Sequence, residues 1–210
     1  MYCPALFRED RPEVQHEFIR SHPLGLLISQ GSSGLLANLF PFVLKTEVGE
    51  RGVLQAHMAR ANPQWREIDD QAVLVVFRGS DAYVSPSLYA TKKETGKVVP
   101  TWNYAMVQVR GKARLRDDVD WLTPQLGALV TAREATRAQP WAIADAPADY
   151  VEAQKKAIVG VEIEIAAIEG KWKVSQNQPE ANRRSVIAGF STDESTREMA
   201  ELVRSYGKID

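Results

Sequence analysis

The chain has 210 residues, of which 44% are hydrophobic and 25% are charged, and its formal net charge is -1 at neutral pH. A chain of this size forms a stable hydrophobic core without needing disulfide bonds. A near-neutral balance of interspersed charges does not favour a nucleic-acid-binding surface. Its single cysteine, Cys3, excludes a cysteine-rich zinc site and fits a reducing compartment. No apolar run reaches the roughly 20 residues that span a bilayer, and the first residues lack a secretory pattern. We therefore expect a cytoplasmic protein with no membrane partner.

The first part of the chain predicts a short helix followed by a β-hairpin. Residues 12–20 place apolar side chains at helical spacing behind a proline. Two apolar stretches, 24–29 and 35–44, flank the Gly-Ser-Ser-Gly sequence at 31–34, which predicts a turn between two strands. Pro41 ends or bulges the second strand because proline cannot donate to a sheet ladder.

Strands follow in the middle of the chain. Residues 53–57 predict one strand, and the continuously apolar, β-branched run 72–77 predicts a strand buried on both faces. Residues 104–115 alternate between small or apolar and polar side chains, which is typical of a half-buried strand.

A second helix is predicted over residues 118–135, with Asp117 and Asp118 as candidate caps. The segment 139–149 is rich in alanine and proline and predicts a loop.

The last part predicts one more strand, over 159–165, and a terminal helix over about 191–206 that opens with a capping box of Ser191 and Glu194. Strands do not alternate regularly with helices, so a doubly wound parallel sheet is disfavoured. The expected architecture is a mainly β (α+β) fold, an antiparallel barrel with peripheral helices, in a single domain over residues 1–210.

A first polar segment, 57–65, comes directly after a strand. His57, Arg60 and Asn62 offer a cation and polar groups, and a guanidinium grips phosphate bidentately. The alternative is a turn that enters a helix, with Arg60 solvated and Asn62 as the cap.

A second polar segment, 83–89, contains Ser85 and precedes Lys92. Hydroxyl groups and lysines complete phosphate sites. Equally, Ser-Pro is a turn signal, and the lysine would then be solvated.

A third segment is Pro100-Thr101-Trp102-Asn103-Tyr104. Trp102 and Tyr104 lie two residues apart and therefore share one face of a strand, where a planar ring could stack. Thr101 or Asn103 could bond the edge of that ring. The alternative is that the aromatic side chains fill the core.

A fourth segment, 171–178, carries the run Ser175-Gln176-Asn177 after a strand. These side chains could contact the edge of a polar heterocycle, or they could bond local backbone in a loop.

Other signatures are missing from the sequence. There is no dinucleotide fingerprint, no phosphate-binding P-loop and no Gly-x-Ser-x-Gly elbow. His16, His22 and His57 are not at metal-ligand spacing, so we predict no metal site. No residue is identified as a catalytic acid or base.

Taken together, LxxHMARANPQW, AYVSPxxY, PTWNY and KxSQN, with MYxPxxF at the start, resemble the PaiB-type family of FMN-binding negative transcriptional regulators. The resemblance runs from Met1 to about Ile187. Small departures are Leu88, where a bulkier residue is usual in that family, and Gln178, where a basic residue is common.

The resemblance implies an FMN-binding split barrel, similar to pyridoxamine-phosphate oxidase, and a homodimer that shares its flavin site. On matching positions, His57, Arg60 and Asn62 would lie near the phosphate and ribityl chain of FMN, helped by Ser85 and Lys92. The residues implied near the isoalloxazine ring or its edge are Thr101, Trp102, Asn103, Ser175, Gln176 and Asn177.

Three functions stay open on the sequence. The first is a regulator whose effect is indirect, because direct DNA binding is disfavoured by the charge balance and by the lack of a helix-turn-helix pattern. The second is a flavin-dependent oxidoreductase with a nicotinamide electron donor. The third is a flavin- or haem-binding module without catalysis.

Overall fold

The computed structural model describes residues 1–209. Within them the strands are β1 Arg8–Glu9, β2 Leu24–Gly31, β3 Gly34–Pro41, β4 Val43–Lys45, β5 Val53–Ala59, β6 Ala72–Val84, β7 Thr101–Arg116 and β8 Ile158–Lys173. The α-helices are α1 Pro12–Ser21, α2 Trp65–Ile68, α3 Lys92–Thr95, α4 Val119–Glu134, α5 Ala148–Lys156, α6 Glu180–Phe190 and α7 Arg197–Gly207. Single turns of 3-10 helix lie at Ala5–Phe7, Pro86–Leu88, Ile143–Asp145 and Glu194–Thr196. None of the helices in this part of the chain is long and apolar enough to cross a membrane.

The strands form one sheet in the order β3-β2-β6-β7-β8-β5-β4, and β1 adds to β8. β2 runs antiparallel to β3 and β6, and β5 runs antiparallel to β4 and β8. The predicted antiparallel arrangement with helices at its edges is therefore confirmed.

The chain divides into two compact units. The terminal unit consists of Met1–Gln15, Arg78–Val107 and the residues from Glu169 onward, and the central unit consists of His16–Phe77 and Gln108–Ile168. Strands β6, β7 and β8 contribute residues to both units. The expectation of a single domain stays a prediction.

The central unit contains the predicted hairpin. β2 and β3 pair from Leu24↔Pro41 to Gly31↔Gly34, and the chain reverses at Ser32 and Ser33. Gly34 has φ 113°, which side-chain-bearing residues rarely adopt, so the turn depends on this glycine. The strand ends at Pro41, as its missing N–H requires.

One face of this hairpin is apolar and open. The register places Leu24, Leu26 and Ile28 beside Pro41, Leu39 and Ala37 on the same face. Leu24, Leu35 and Leu39 are 56%, 74% and 57% exposed. We call this surface, formed by Leu24, Leu26, Ile28, Leu35, Ala37 and Leu39, the hairpin face.

β7 confirms the predicted alternation. Its buried positions are every second residue from Asn103 to Ala113, and the intervening side chains are partly or fully exposed. A side chain could not be added at Gly111, because a Cβ there would lie 2.2 Å from the Glu164 carbonyl oxygen.

β6 continues well past its predicted end, and its alternation shifts by one residue on the way. Val73, Val75 and Phe77 are buried, and the next buried positions are Ala82 and Val84. Odd-numbered residues therefore face the core in the first part of the strand and even-numbered residues in the second. One extra residue in a strand produces this shift. The expectation of burial on both faces is wrong for the run 72–77, since the intervening Leu74 and Val76 are partly exposed.

The terminal unit differs from expectation near its end. Helix α6 was not predicted, and α7 begins at Arg197 rather than near Ser191. The predicted capping box is wrong: the Ser191 hydroxyl bonds the Ile187 carbonyl at the end of α6, and Asp193 instead accepts from the Ser195 N–H.

A buried carboxylate joins the N-terminal segment to the last helix of this unit. Glu9, on β1, is 3% exposed and accepts hydrogen bonds from the Arg11 guanidinium and from the Tyr206 hydroxyl at 2.6 Å. These hydrogen bonds, chiefly that of Arg11, lower the pKa of Glu9 from 4.5 to about 2.

Candidate functional site

The predicted site residues lie in two groups. The terminal unit holds Ser85, Lys92, Thr101, Trp102, Asn103, Ser175, Gln176 and Asn177, and the central unit holds His57, Arg60 and Asn62.

Trp102 presents an aromatic surface to the outside. It is 54% exposed, and the Tyr83 ring lies 5.8 Å from it between centroids, edge to face. A cavity of about 380 Å³ lies beside it. The lining residues of this Trp102 cavity are Arg78, Gly79, Asp81, Trp102, Tyr104, Ala105 and Met106. Apolar and aromatic walls with a few charged groups suit a planar heterocycle.

Asn103 points the other way along β7. It is completely buried, and its Nδ2 donates to the Ser175 hydroxyl at 2.9 Å. Neighbouring residues of a strand face opposite sides, so a ring stacked on Trp102 does not share a face with the Asn103 amide. Ser175 is also buried, and its φ of 65° is uncommon for serine. These two residues form a buried polar pair that holds the chain after β8 against β7.

A lysine that the sequence did not single out lies next to Trp102. The Lys173 ammonium donates to the Thr101 hydroxyl at 2.5 Å and to the Trp102 carbonyl at 2.6 Å. Burial, and then the charge of Lys171, lower the pKa of Lys173. The side chain of Lys173 thus brings a positive charge to the start of β7. Its place two residues before Ser175 in the fourth motif was the available signal.

The remaining residues of the fourth motif differ in exposure. Both ends of the Gln176 amide bond the backbone just before it: the oxygen accepts from the Val174 N–H at 2.8 Å, and the nitrogen donates to the Trp172 carbonyl at 2.5 Å. Asn177 is exposed. Gln176 therefore shapes the loop, as the alternative interpretation of that segment expected.

Ser85 and Lys92 frame a short loop. The Ser85 hydroxyl caps a 3-10 turn by accepting from the Ser87 N–H, and the Lys92 ammonium donates to the Ser87 hydroxyl at 3.2 Å. The buried Asn182 supports this loop by accepting from the Thr91 N–H at 3.1 Å. Lys92 is exposed and available to an anion.

In the central unit, Arg60 already has an anionic partner. Its guanidinium forms a two-pronged ion pair with Asp117, and its Nε donates to the Lys156 carbonyl at 2.8 Å. The hydrogen bonds to Asp117 raise the pKa of Arg60 and lower that of Asp117. Asp117, a candidate helix cap on the sequence, is thus the partner of Arg60, while Asp118 caps α4 through the Trp121 N–H.

Asn62 and Gln64 organise the turn after β5. The Asn62 side chain accepts from the Gln64 N–H at 3.0 Å, which is a local turn bond. Gln64 is completely buried and bonds both Ser29 on β2 and Asn38 on β3. The motif therefore fastens its own turn to the hairpin, a role that sequence reasoning missed.

His57 lies in different surroundings from Arg60. Its Nδ1 is 3.0 Å from the Gln125 amide oxygen, and burial lowers the pKa of the imidazole. Its other neighbours line a mostly apolar cavity, which does not suit a phosphate. Among the described residues, no cluster of three histidine, cysteine or acidic side chains could hold a metal ion.

Comparison with known families matches residues 1–167 to the family described as "Putative FMN-binding domain". An uncharacterised protein of Emericella nidulans is 36% identical over 248 aligned positions, covering 100% of this chain and 98% of that protein. The protease synthase and sporulation protein PAI 2 of Bacillus subtilis is 30% identical and covers 97% of this chain and 96% of that protein. The resemblance to PaiB-type proteins and the prediction of FMN as cofactor are therefore confirmed.

Among solved structures, a conserved hypothetical protein of Mycobacterium tuberculosis superposes with a TM-score of 0.59 at 13% identity, covering 86% of this chain and 95% of that chain. At such low identity the similarity concerns the fold. The predicted antiparallel split-barrel fold is confirmed.

Proposed function

Because the chain belongs to the FMN-binding domain family of PaiB type, we propose that it uses bound FMN as a redox cofactor. Any regulatory effect of the protein would then depend on the bound FMN. The observation that carries this proposal is the open aromatic surface of Trp102 beside a cavity of about 380 Å³. Most tryptophan side chains are largely buried, so one that stands open beside a cavity is a candidate ring-stacking platform.

The isoalloxazine ring of FMN would stack on Trp102. The cavity walls fit an aromatic ring, and the Lys173 ammonium supplies a positive charge within 2.6 Å of the Trp102 carbonyl oxygen. When bound, FMN supplies one- and two-electron redox chemistry. Trp102 would orient the ring by stacking, and the Lys173 ammonium, held at the Trp102 carbonyl, would bring a positive charge to that end of β7.

The phosphate of FMN requires cations. Each unit offers its own proposed phosphate contacts: a guanidinium and an amide in the central unit, from Arg60 and Asn62, and a hydroxyl and an ammonium in the terminal unit, from Ser85 and Lys92. His57 lies among mostly apolar neighbours, which do not suit the phosphate.

The first test is a titration of FMN into the purified protein, followed by absorbance and by flavin fluorescence. Loss of one stacking platform costs about 1–3 kcal/mol per ring, so Trp102→Ala should weaken FMN binding by about tenfold or more. Trp141→Ala is the matched control, because Trp141 is 46% exposed but lies away from the Trp102 cavity lining. Equal affinity in the wild type and Trp102→Ala would refute the assignment of the ring.

The electron donor that we propose is a reduced nicotinamide nucleotide. The measurement is oxidation of NADH or NADPH by FMN-loaded protein, with oxygen or another acceptor to take up the two electrons. Tight flavin binding with no turnover across a broad range of acceptors would instead favour a non-catalytic binding module.

A regulatory role is supported by the name of the Bacillus relative, which refers to protease synthesis and sporulation. We propose that such an effect is indirect. The net charge is -1, and the last helix, α7, pairs Arg204 with Glu201 rather than presenting a basic surface. A salt-dependent, sequence-specific shift of promoter DNA by the pure protein would overturn this.

We also propose a cytoplasmic homodimer. The hairpin face exposes leucine side chains on an edge strand, and monomers rarely leave such a contiguous apolar surface open. A second copy of the chain would cover it. The cytoplasmic location is proposed from the single cysteine.

A further inference from the structure

A second cavity, of about 290 Å³, lies within the central unit. Its walls come from β5, α4, α5, the segment between the two helices and the first residue of β8, and it shares no residue with the Trp102 cavity. The lining includes His57, Leu126, Trp141, Ala146, Tyr150 and Lys155. The volume lies at the lower end of small-molecule sites, so it suits one or two fused rings.

The rim of this cavity is aromatic and open. Trp141 is 46% exposed and Tyr150 is 58% exposed. Both are large side chains that gain from burial against another apolar surface. An aromatic ligand in the cavity would cover part of each of them.

His57 is a polar member of the cavity lining, and Gln125, which lies outside the lining, is its hydrogen-bond partner. The Gln125 amide oxygen lies 3.0 Å from His57 Nδ1, and Gln125 is only 1% exposed. With the amide in this orientation, Nδ1 donates and the other imidazole nitrogen, Nε2, is an acceptor. The Gln125 Nε2 atom is buried and has no hydrogen-bond partner among the described residues. Buried polar groups without partners are uncommon, and each one calls for an explanation.

The cavity carries no uncompensated charge. Lys155 is 8% exposed, and its ammonium is paired with Glu152 at 2.9 Å. Burial lowers the pKa of His57, so the imidazole is neutral at physiological pH. An anion would therefore find no unpaired cation here, and a neutral ligand is favoured.

We propose that this cavity, whose lining shares no residue with the proposed flavin contacts, is a second binding site for a small neutral aromatic alcohol of the phenol class. The rings would lie between Trp141, Tyr150 and Leu126, and the hydroxyl group would donate to His57 Nε2. The buried Gln125 fixes the imidazole tautomer and its orientation.

The test is calorimetric titration of FMN-loaded, full-length protein with 2-naphthol and with 2-methoxynaphthalene. The two probes have the same ring system, but the ether has no hydrogen to donate. A hydrogen bond to a neutral acceptor is worth roughly 1 kcal/mol, so 2-naphthol should bind about fivefold more tightly. In Gln125→Leu this preference should disappear, because nothing holds Nδ1 as the donor.

Two variants locate the site. Ala146→Trp fills the cavity and should weaken 2-naphthol binding at least about tenfold, while Ala138→Trp places the same side chain at an exposed position outside the lining and should leave it unchanged. FMN affinity should be the same in both variants, which shows that they fold. Undetectable 2-naphthol binding, unchanged binding in Ala146→Trp, or equal affinity for the two probes would each overturn the proposal.

Discussion

The Tyr206 hydroxyl donates a 2.6 Å hydrogen bond to the Glu9 carboxylate, across 197 residues of sequence. The carboxylate is almost fully buried and also accepts from the Arg11 guanidinium. A buried charge is stable when it is paired and hydrogen-bonded on all sides. This contact therefore ties the last helix of the chain to its first residues within the terminal unit.

The first prediction concerns acid stability. The pKa of Glu9 is lowered to about 2 in the folded protein, so its contribution is fully present above about pH 4.5 and is lost as the pH falls towards 2. We expect this contribution to be roughly 1–3 kcal/mol. Urea unfolding of the wild type and of Glu9→Gln, followed from pH 7 to pH 2.5, measures it. The difference between the two proteins should shrink as the pH falls; a constant difference would contradict the assignment.

A second prediction concerns the competition between Asp117 and phosphate for Arg60. If Arg60 grips the FMN phosphate, it must give up part of its ion pair with Asp117, so Asp117→Asn should strengthen FMN binding by up to about fivefold. Arg60→Ala should weaken it. Riboflavin, which lacks the phosphate, is the control ligand.

Riboflavin affinity should be the same in the wild type, Asp117→Asn and Arg60→Ala. Equal effects on FMN and riboflavin would mean that the ion pair supports the fold rather than the phosphate.

The third prediction separates a structural role of Asn103 from a role in flavin binding. Asn103→Leu leaves the buried Ser175 hydroxyl without its partner and should lower the free energy of unfolding by about 1–3 kcal/mol. FMN affinity should change much less than in Trp102→Ala. A double-mutant cycle with Ser175→Ala should give a coupling energy of about 1 kcal/mol, and additive effects would show that the two residues are independent.

A fourth prediction concerns the hairpin face. Replacing Leu35 and Leu39 together by Glu should convert the proposed dimer to a monomer, because burying two carboxylates is costly. Light scattering during size-exclusion chromatography measures the mass. Val99→Glu is the control, since Val99 is 73% exposed but lies outside the hairpin face. An unchanged mass in the double variant would place the interface elsewhere.

Local sequence rules predicted much of the fold. The glycine-flanked turn at 31–34, the alternation of β7 and the Asp118 cap of α4 each follow from a few neighbouring residues, and the structure has all three. Helix α6 was missed, although Pro179 at its start and the buried Val186, Ile187 and Phe190 were visible in the sequence. The polar segment 171–178, which precedes α6, is interpreted from the sequence as a binding motif instead.

The candidate site was predictable to a smaller extent. The exposed Trp102 could be proposed from a motif, but the partner of Arg60 lies 57 residues further along the chain and the partner of Asn103 lies 72 residues further. Side-chain pairs at such separations depend on how the strands and helices come together. Spacing within a motif does not contain that information.

The shift of alternation in β6 has a consequence for how chains of this kind can vary in length. Deleting one residue between Arg78 and Asp81 would restore a single alternation, with Phe77, Ala82 and Val84 still on the buried side and Tyr83 still on the exposed side. Soluble expression should therefore tolerate a one-residue deletion there, whereas deleting Leu74 would turn Val73 outward and should reduce it. A deletion scan across 72–84, with soluble expression as the measurement, would show this difference.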